Sequence, residues 1–154
     1  MDIEEKEEVI KINSFGPLNS GKFAVVNRYI NDSFDYQYCR HDSYMINHIT
    51  LNGKKINLMF YIFFTTNKPY ECANLRSFFA ESDAVLLVFD LENPKNLDFW
   101  ISEIEKNAPE DALVFLIGNK CELKKDDEES HIDDFVQRHS NRILKYFNIL
   151  LLCL

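Results

Sequence analysis

Residues 16–23 read Gly16-Pro17-Leu18-Asn19-Ser20-Gly21-Lys22-Phe23, and they stand directly between an apolar run and a helical pattern. The run before them is VIKINSF, Val9 to Phe15; the segment after them is FAVVNRYIND, in which Val25, Val26, Tyr29 and Ile30 recur at helical spacing. Two glycines five positions apart, followed by lysine at a strand-to-helix turn, have the spacing of a phosphate-binding loop. Such a loop wraps a phosphate with the backbone N–H groups of Asn19 to Ala24 at the positive end of the helix, and Lys22 adds its charge. Pro17 has no N–H, but it precedes the cradle. At the eighth position the pattern calls for a hydroxyl that ligates Mg²⁺, and this chain has Phe23. The plainer alternative is a glycine-bounded turn with an ordinary lysine. Against it, the chain has only four glycines, and two of them bracket this loop.

Working outward, MINHITLNGKKINLMFYIFF (45–64) reads as a hairpin turning at Asn52-Gly53, a favoured tight-turn pair. NLRSFFAE (74–81) reads as a short helix and AVLLVFD (84–90) as a buried parallel strand. The next helix is expected over 94–107, with Asn93 as cap, Pro94 first, and an apolar face of Leu97, Trp100, Ile101 and Ile104. ALVFLIGNK (112–120) is another buried strand. ELKKDDEESHIDD reads as a solvated loop leading into a helix, DFVQRHSNRILKYF (134–147), and NILLLCL (148–154) as the final strand. The polar stretch DSFDYQYCRHDS (32–43) supports no assignment. The order β-α-β-β-α-β-α-β-α-β is that of a wound α/β domain with right-handed crossovers, cut short after its last strand.

The 154 residues suit one domain, 1–154, with an acidic tail at 1–8. Acidic residues outnumber basic ones 25 to 17, so the net charge is −8. No basic excess exists to grip nucleic acid or an anionic membrane surface. Cys39, Cys72, Cys121 and Cys153 form no C-x-x-C pair and no zinc spacing, which suits free thiols in a reducing compartment. The start, MDIEEKEE, is unlike a secretory or mitochondrial leader, and Cys153 stands second from the end, where no prenylation box places it. The expectation is a cytoplasmic protein without a stable membrane anchor.

A second motif narrows the reading. Gly118-Asn119-Lys120-Cys121-Glu122-Leu123 follows a buried strand and is similar to the N-K-x-D guanine-recognition motif of small GTPases. With GPLNSGK and the stretch from Leu75 to Leu123, the chain resembles a Rab-like small GTPase of the Ras superfamily. That resemblance implies a P-loop NTPase fold like the G-domain, with a mostly parallel six-stranded sheet and helices on both faces. It implies phosphate binding by Gly16, Asn19, Ser20, Gly21, Lys22, Phe23 and Ala24, and guanine binding by Asn119, Lys120, Glu122 and Phe34. Glu122 stands where the family has Asp, keeping the charge and adding a methylene. Phe34 falls where the family stacks an aromatic on the base; a core-edge aromatic is the equal alternative.

The same resemblance shows what has been lost. The family's D-x-x-G reads Phe64-Thr65-Thr66-Asn67 here, followed by Lys68 in place of the water-orienting Gln. The Mg²⁺-binding Thr of the first switch falls near Cys39, with Ser43 as the other candidate, and ILLLC lacks the S-A-K of the family. Phosphoryl transfer rests on positioning and charge neutralisation, so these changes remove the metal site and the switch together. GDP or GTP remain as ligands, bound weakly or not at all and without Mg²⁺. No catalytic residue and no metal ligand is assigned. The reading is a pseudo-GTPase acting as a protein-interaction module, its partners being effector or regulator proteins at the hairpin and switch-like region. Two alternatives stay open: a working small GTPase with slow hydrolysis in vesicle trafficking or signalling, and a truncated relic of low stability. The acidic residues around His131 read as a solvated loop rather than a metal site, and Cys39, His41 and His48 have no metal-binding spacing. MFYIFFTT (59–66) holds more apolar side chains than one sheet face can bury, so part of the hairpin is expected to be exposed.

Overall fold

A computed structural model describes residues 7–34, 43–65, 74–123 and 128–149. The strands are β1 (Glu8–Phe15), β2 (Ser43–Leu51), β3 (Lys54–Ile62), β4 (Ala84–Asp90), β5 (Leu113–Asn119) and β6 (Ile143–Asn148). The helices are α1 (Lys22–Asn31), α2 (Leu75–Phe79), α3 (Leu97–Asn107) and α4 (Glu128–Arg138), with a 3₁₀ turn at Cys121–Leu123. β1 takes in Glu8, the last residue assigned to the acidic tail.

The six strands form one sheet in the order β2-β3-β1-β4-β5-β6, parallel throughout except for β2. This is the α/β architecture expected. β2 and β3 join at Asn52 (φ 51°) and Gly53 (φ 81°), two successive left-handed residues whose twist matches that of the strands.

Strand alternation divides the core in two. On one face, Ile56, Leu58, Phe60 and Ile62 of β3 pack with Val26 of α1. On the other, α2, α3 and α4 cover β1, β4 and β5 around Phe15, which meets Phe63, Phe79 and Trp100 edge-on at 5.4, 5.0 and 5.1 Å. Leu97, Trp100, Ile101 and Ile104 are all buried, as their spacing predicts.

Three boundaries differ from the expectation. α3 starts at Leu97, three residues after Pro94, because Asn96 sits in the left-handed region (φ 64°) and cannot continue a right-handed helix. Asn96, not Asn93, therefore occupies the cap position, and its side chain makes no capping bond. The expected loop around His131 lies in α4, with His131, Asp133 and Asp134 exposed along it, and the helix ends at Arg138 instead of 147. Residues 143–147, expected to be the end of that helix, instead form the last strand together with Asn148. Parallel pairing with β5 decides this, in a register running from Val114↔Ile143 to Gly118↔Asn148. Arg142 clamps the new strand by donating to the carbonyls of Pro109, Glu110 and Ala112 at 3.0, 3.0 and 2.9 Å. The proposed strand 148–154 therefore overlaps the sheet only at Asn148, and 150–154 lie outside the described residues.

Part of the hairpin is exposed, as expected, and that part lies on β2. Phe60, Ile62 and Phe63 are buried, while Tyr44, Ile46 and Leu51 of β2 are exposed. Among the described residues, no helix is long and apolar enough to cross a membrane.

Candidate functional site

The loop from Gly16 to Gly21 leaves the carboxyl end of β1, where the ends of β3, β4 and β5 meet it. Ligand crevices of open α/β sheets lie at this edge. Gly16 (φ 138°) presses against β4 so closely that a Cβ would stand 2.0 Å from the Val88 carbonyl oxygen. At the far end, Gly21 (φ 89°) precedes α1, and a Cβ there would lie 2.2 Å from Nδ2 of Asn119. The loop thus requires glycine at both ends, on grounds of backbone angle and of space.

Lys22 is buried, and its Nζ turns back to donate to the carbonyls of Gly16 at 3.0 Å and Pro17 at 2.6 Å. These bonds hold the ammonium along the loop instead of releasing it to solvent. Thr65, just past β3, donates its hydroxyl to the same Gly16 carbonyl at 2.6 Å. Phe63 N–H bonds to the Ser14 carbonyl at 3.0 Å, so the end of β3 is tied to the root of the loop twice. Asn119, at the end of β5 and buried, donates from Nδ2 to the Ser20 carbonyl at 3.0 Å and accepts the Lys120 N–H on Oδ1 at 2.8 Å. The phosphate-loop motif and the guanine-type motif are therefore joined directly. Lys120 takes a left-handed backbone (φ 60°) and its Nζ pairs with Asp90, whose other oxygen accepts the Glu92 N–H at 2.9 Å.

The remaining site residues are placed as follows. Asn19 is exposed and left-handed (φ 61°), and Ala24 is half-buried on α1. Ser20 is fully buried, and its Oγ has no hydrogen-bond partner among the described residues. Phe23 packs against the Val26 cluster, so its ring belongs to the core beneath α1. Phe34 is half-buried, three residues past α1, and Glu122 is exposed in the 3₁₀ turn. Cys39, His41, Thr66, Asn67 and Lys68 lie outside the described residues. Among those described, no three His, Cys, Asp or Glu side chains are grouped to hold a metal ion.

Two side chains of this edge escape the sequence reading: Thr65 and Asp90. Asp90 left a signal, a carboxylate ending a buried parallel strand, where such folds gather functional groups. Thr65 left none, because its partner is a backbone carbonyl of another strand.

The arrangement fits a phosphate. The cradle has glycine where a Cβ would intrude, and it contains an orphaned buried hydroxyl, Ser20 Oγ, and a lysine held alongside. The side chains at 23 and 64 are phenyl rings with no donor oxygen, and the half-buried ring at 23 packs against the Val26 cluster.

Residues 11–122 match the family model described as Ras of Complex, Roc, domain of DAPkinase. The chain is 29 % identical over 131 residues to the Ras-related protein RabZ of Dictyostelium discoideum, covering 80 % of this chain and 56 % of that protein. It is 28 % identical over 120 residues to the Ras-related protein Rab-10 of Caenorhabditis elegans, covering 75 % and 59 % respectively. Over 125 residues it is 26 % identical to the GTP-binding protein YPT1 of Saccharomyces cerevisiae, covering 78 % and 60 %. It thus spans somewhat over half the length of these relatives. Since the family model covers most of the chain and these relatives are Ras-related proteins, the chain belongs to the Rab-like small GTPases of the Ras superfamily.

Proposed function

We propose that this chain is a pseudo-GTPase, a G-domain that holds guanine nucleotide weakly and without Mg²⁺ and works by binding other proteins. The observation that carries the reading is the fate of residue 23. The family's metal ligand is a hydroxyl at this place in the loop, whereas Phe23 packs into the cluster of Val26, Ile56 and Leu58. Phe64 stands where the family's carboxylate belongs, so the two positions that would anchor the ion offer no oxygen. Hydrolysis of GTP depends on that ion and on an oriented water, and its rate here falls to a negligible level. GDP is favoured over GTP, because it brings less charge to be offset by Lys22 alone.

The intact parts of the site support retention of a nucleotide. Gly16, Asn19, Ser20, Gly21, Lys22 and Ala24 take the phosphates, with Phe23 contributing only its backbone N–H. Asn119, Lys120, Glu122 and Phe34 take the base. The longer arm of Glu122 shifts the carboxylate relative to the family's Asp and weakens the base contact. This protein acts in the cytoplasm, and effectors or regulators meet it at the hairpin and the switch-like region. The likeness to YPT1, a GTP-binding protein, and the bonds holding Lys22 and Asn119 in place favour a second reading, that of a slow but working GTPase.

A thermal-shift titration with GDP and GTP, each with Mg²⁺ and with a chelator, tests the proposal. It requires stabilisation indifferent to Mg²⁺. A shift lost on chelation establishes the second reading, and no shift with any nucleotide removes the nucleotide and leaves the interaction module.

A further inference from the structure

We infer that Asp90 is a positioning residue for the base end of the site: it holds the Lys120 side chain ready for the nucleobase and offsets its charge, so that this end takes an uncharged ring and not a phosphate. The inference rests on the nucleotide-holding function proposed above. Asp90 ends β4 and stands opposite Asn119 in the β4–β5 register. One of its carboxylate oxygens accepts the Glu92 N–H at 2.9 Å, and its backbone carbonyl accepts the Asn93 N–H at 3.1 Å. The other carboxylate oxygen meets the Lys120 ammonium. The two side chains are 17 % and 32 % exposed, so the pair is largely shielded at the edge where such sheets form their ligand crevice.

Lys120 is fixed from its backbone as well. Its N–H donates to Asn119 Oδ1 at 2.8 Å, and the Leu91 N–H binds the Asn119 carbonyl at 3.0 Å. At φ 60° Lys120 departs from the line of β5, and its side chain reaches back to β4. Asn119 in turn holds the Ser20 carbonyl of the phosphate loop. Asp90, Lys120, Asn119 and the loop are therefore one connected run of bonds.

The two lysines of this edge are held by different chemistry. Lys22 donates to the carbonyls of Gly16 and Pro17, whereas Lys120 meets a full carboxylate. That carboxylate cancels much of the attraction of Lys120 for an anion and leaves the four-carbon stem, which suits the face of an uncharged base. An unheld lysine loses rotamer freedom when a ligand orders it, and Asp90 removes that cost in advance. As a contact for stability the pair contributes little, because partly exposed ions gain little over their hydrated state.

Calorimetry of the full chain with GDP and, separately, with inorganic pyrophosphate tests the inference. Asp90→Asn still accepts the Glu92 N–H but releases Lys120; GDP weakens by about tenfold, while pyrophosphate, which has no base, binds at least as well as before. Asp90→Glu, which keeps the charge, recovers part of the loss. On a Lys120→Met background, Asp90→Asn changes GDP affinity no further, because it acts through the lysine. Equal weakening of GDP and pyrophosphate shows that Asp90 shapes the loop alone and overturns the inference. So does unchanged GDP affinity in Asp90→Asn, or a further loss on the Lys120→Met background. Failure of the parent chain to bind GDP is a separate result, which overturns the nucleotide reading and this inference with it.

Discussion

The side-chain amide of Asn119 donates to the backbone carbonyl of Ser20 at 3.0 Å, joining two loops 99 positions apart in the chain. The bond is buried, and the same Nδ2 stands where a Cβ on Gly21 would go. Asn119→Ala leaves the Ser20 carbonyl without this partner and lowers stability by about 1–3 kcal/mol in urea denaturation. Gly21→Ala is destabilising for two reasons, its positive φ and the collision with Asn119. In the double variant the collision vanishes, so the two losses sum to more than the loss of the pair. Strict additivity would show that the two residues do not touch.

Lys22→Met keeps the aliphatic stem and removes the ammonium. If the loop holds a nucleotide, GDP at about a hundred times its dissociation constant stabilises the unaltered chain by about 2.7 kcal/mol and the variant negligibly. Comparing the variant with the parent by thermal shift at equal GDP checks this, and a persistent shift in the variant places the nucleotide elsewhere.

Phe23→Thr with Phe64→Asp returns a hydroxyl and a carboxylate to the loop and the end of β3. Removing the Phe23 ring from its place beside Val26 costs about 2–4 kcal/mol. Despite that loss, nucleotide binding by this double variant becomes sensitive to Mg²⁺, measured by calorimetry with and without a chelator. Indifference to the ion would show that more than these two donors is missing.

The start of β6 depends on Arg142, whose guanidinium donates to three carbonyls around Pro109 to Ala112. Arg142→Ala loses about 2–3 kcal/mol of unfolding free energy, because hydrogen bonds to a charged group are stronger than neutral ones. Lysine cannot reproduce the planar fork, and Arg142→Lys recovers less than half of the loss. A lysine variant as stable as the parent would indicate that charge, not geometry, holds the strand.

Asp98 of α3 accepts from Arg138 at 3.1 Å and lies 3.2 Å from His139 Nε2, linking α3 to the end of α4. Burial alone would raise its carboxyl, but the hydrogen bonds from His139 and Arg138 outweigh this and hold it below its ordinary value. A depressed carboxylate contributes stability above its unfolded pKa of about 3.9 and loses it as pH falls through the folded value. Asp98→Asn is therefore less stable than the parent at pH 7 by about 0.5 kcal/mol, a small figure because the pair is exposed. The gap closes in acid below the ordinary carboxylate range, as a series of melts on both proteins will register.

Most of the architecture was legible in the sequence because local patterns carry it. Two glycines and a lysine between Phe15 and Phe23, an Asn-Gly turn at 52–53, and the spacing of Leu97, Trp100, Ile101 and Ile104 each involve neighbours in the chain, whose backbone preferences act whatever else is present. From these alone the α/β class, the hairpin and the place of the phosphate loop followed. The tertiary structure decided matters that turn on partners far away in sequence. Ile143 to Phe147 read as helix, and become strand because β5, about thirty residues earlier, supplies a parallel register. Phe23 could face the loop or the core, and the apolar side of β3 draws it to the core. Thr65 and Asp90 acquire roles only because β1, β3, β4 and β5 end side by side, bringing the Gly16 carbonyl and Lys120 within reach. Periodicity and turn chemistry record what a residue prefers by itself, whereas a hydrogen bond between two strand ends exists only once the sheet has set them next to each other.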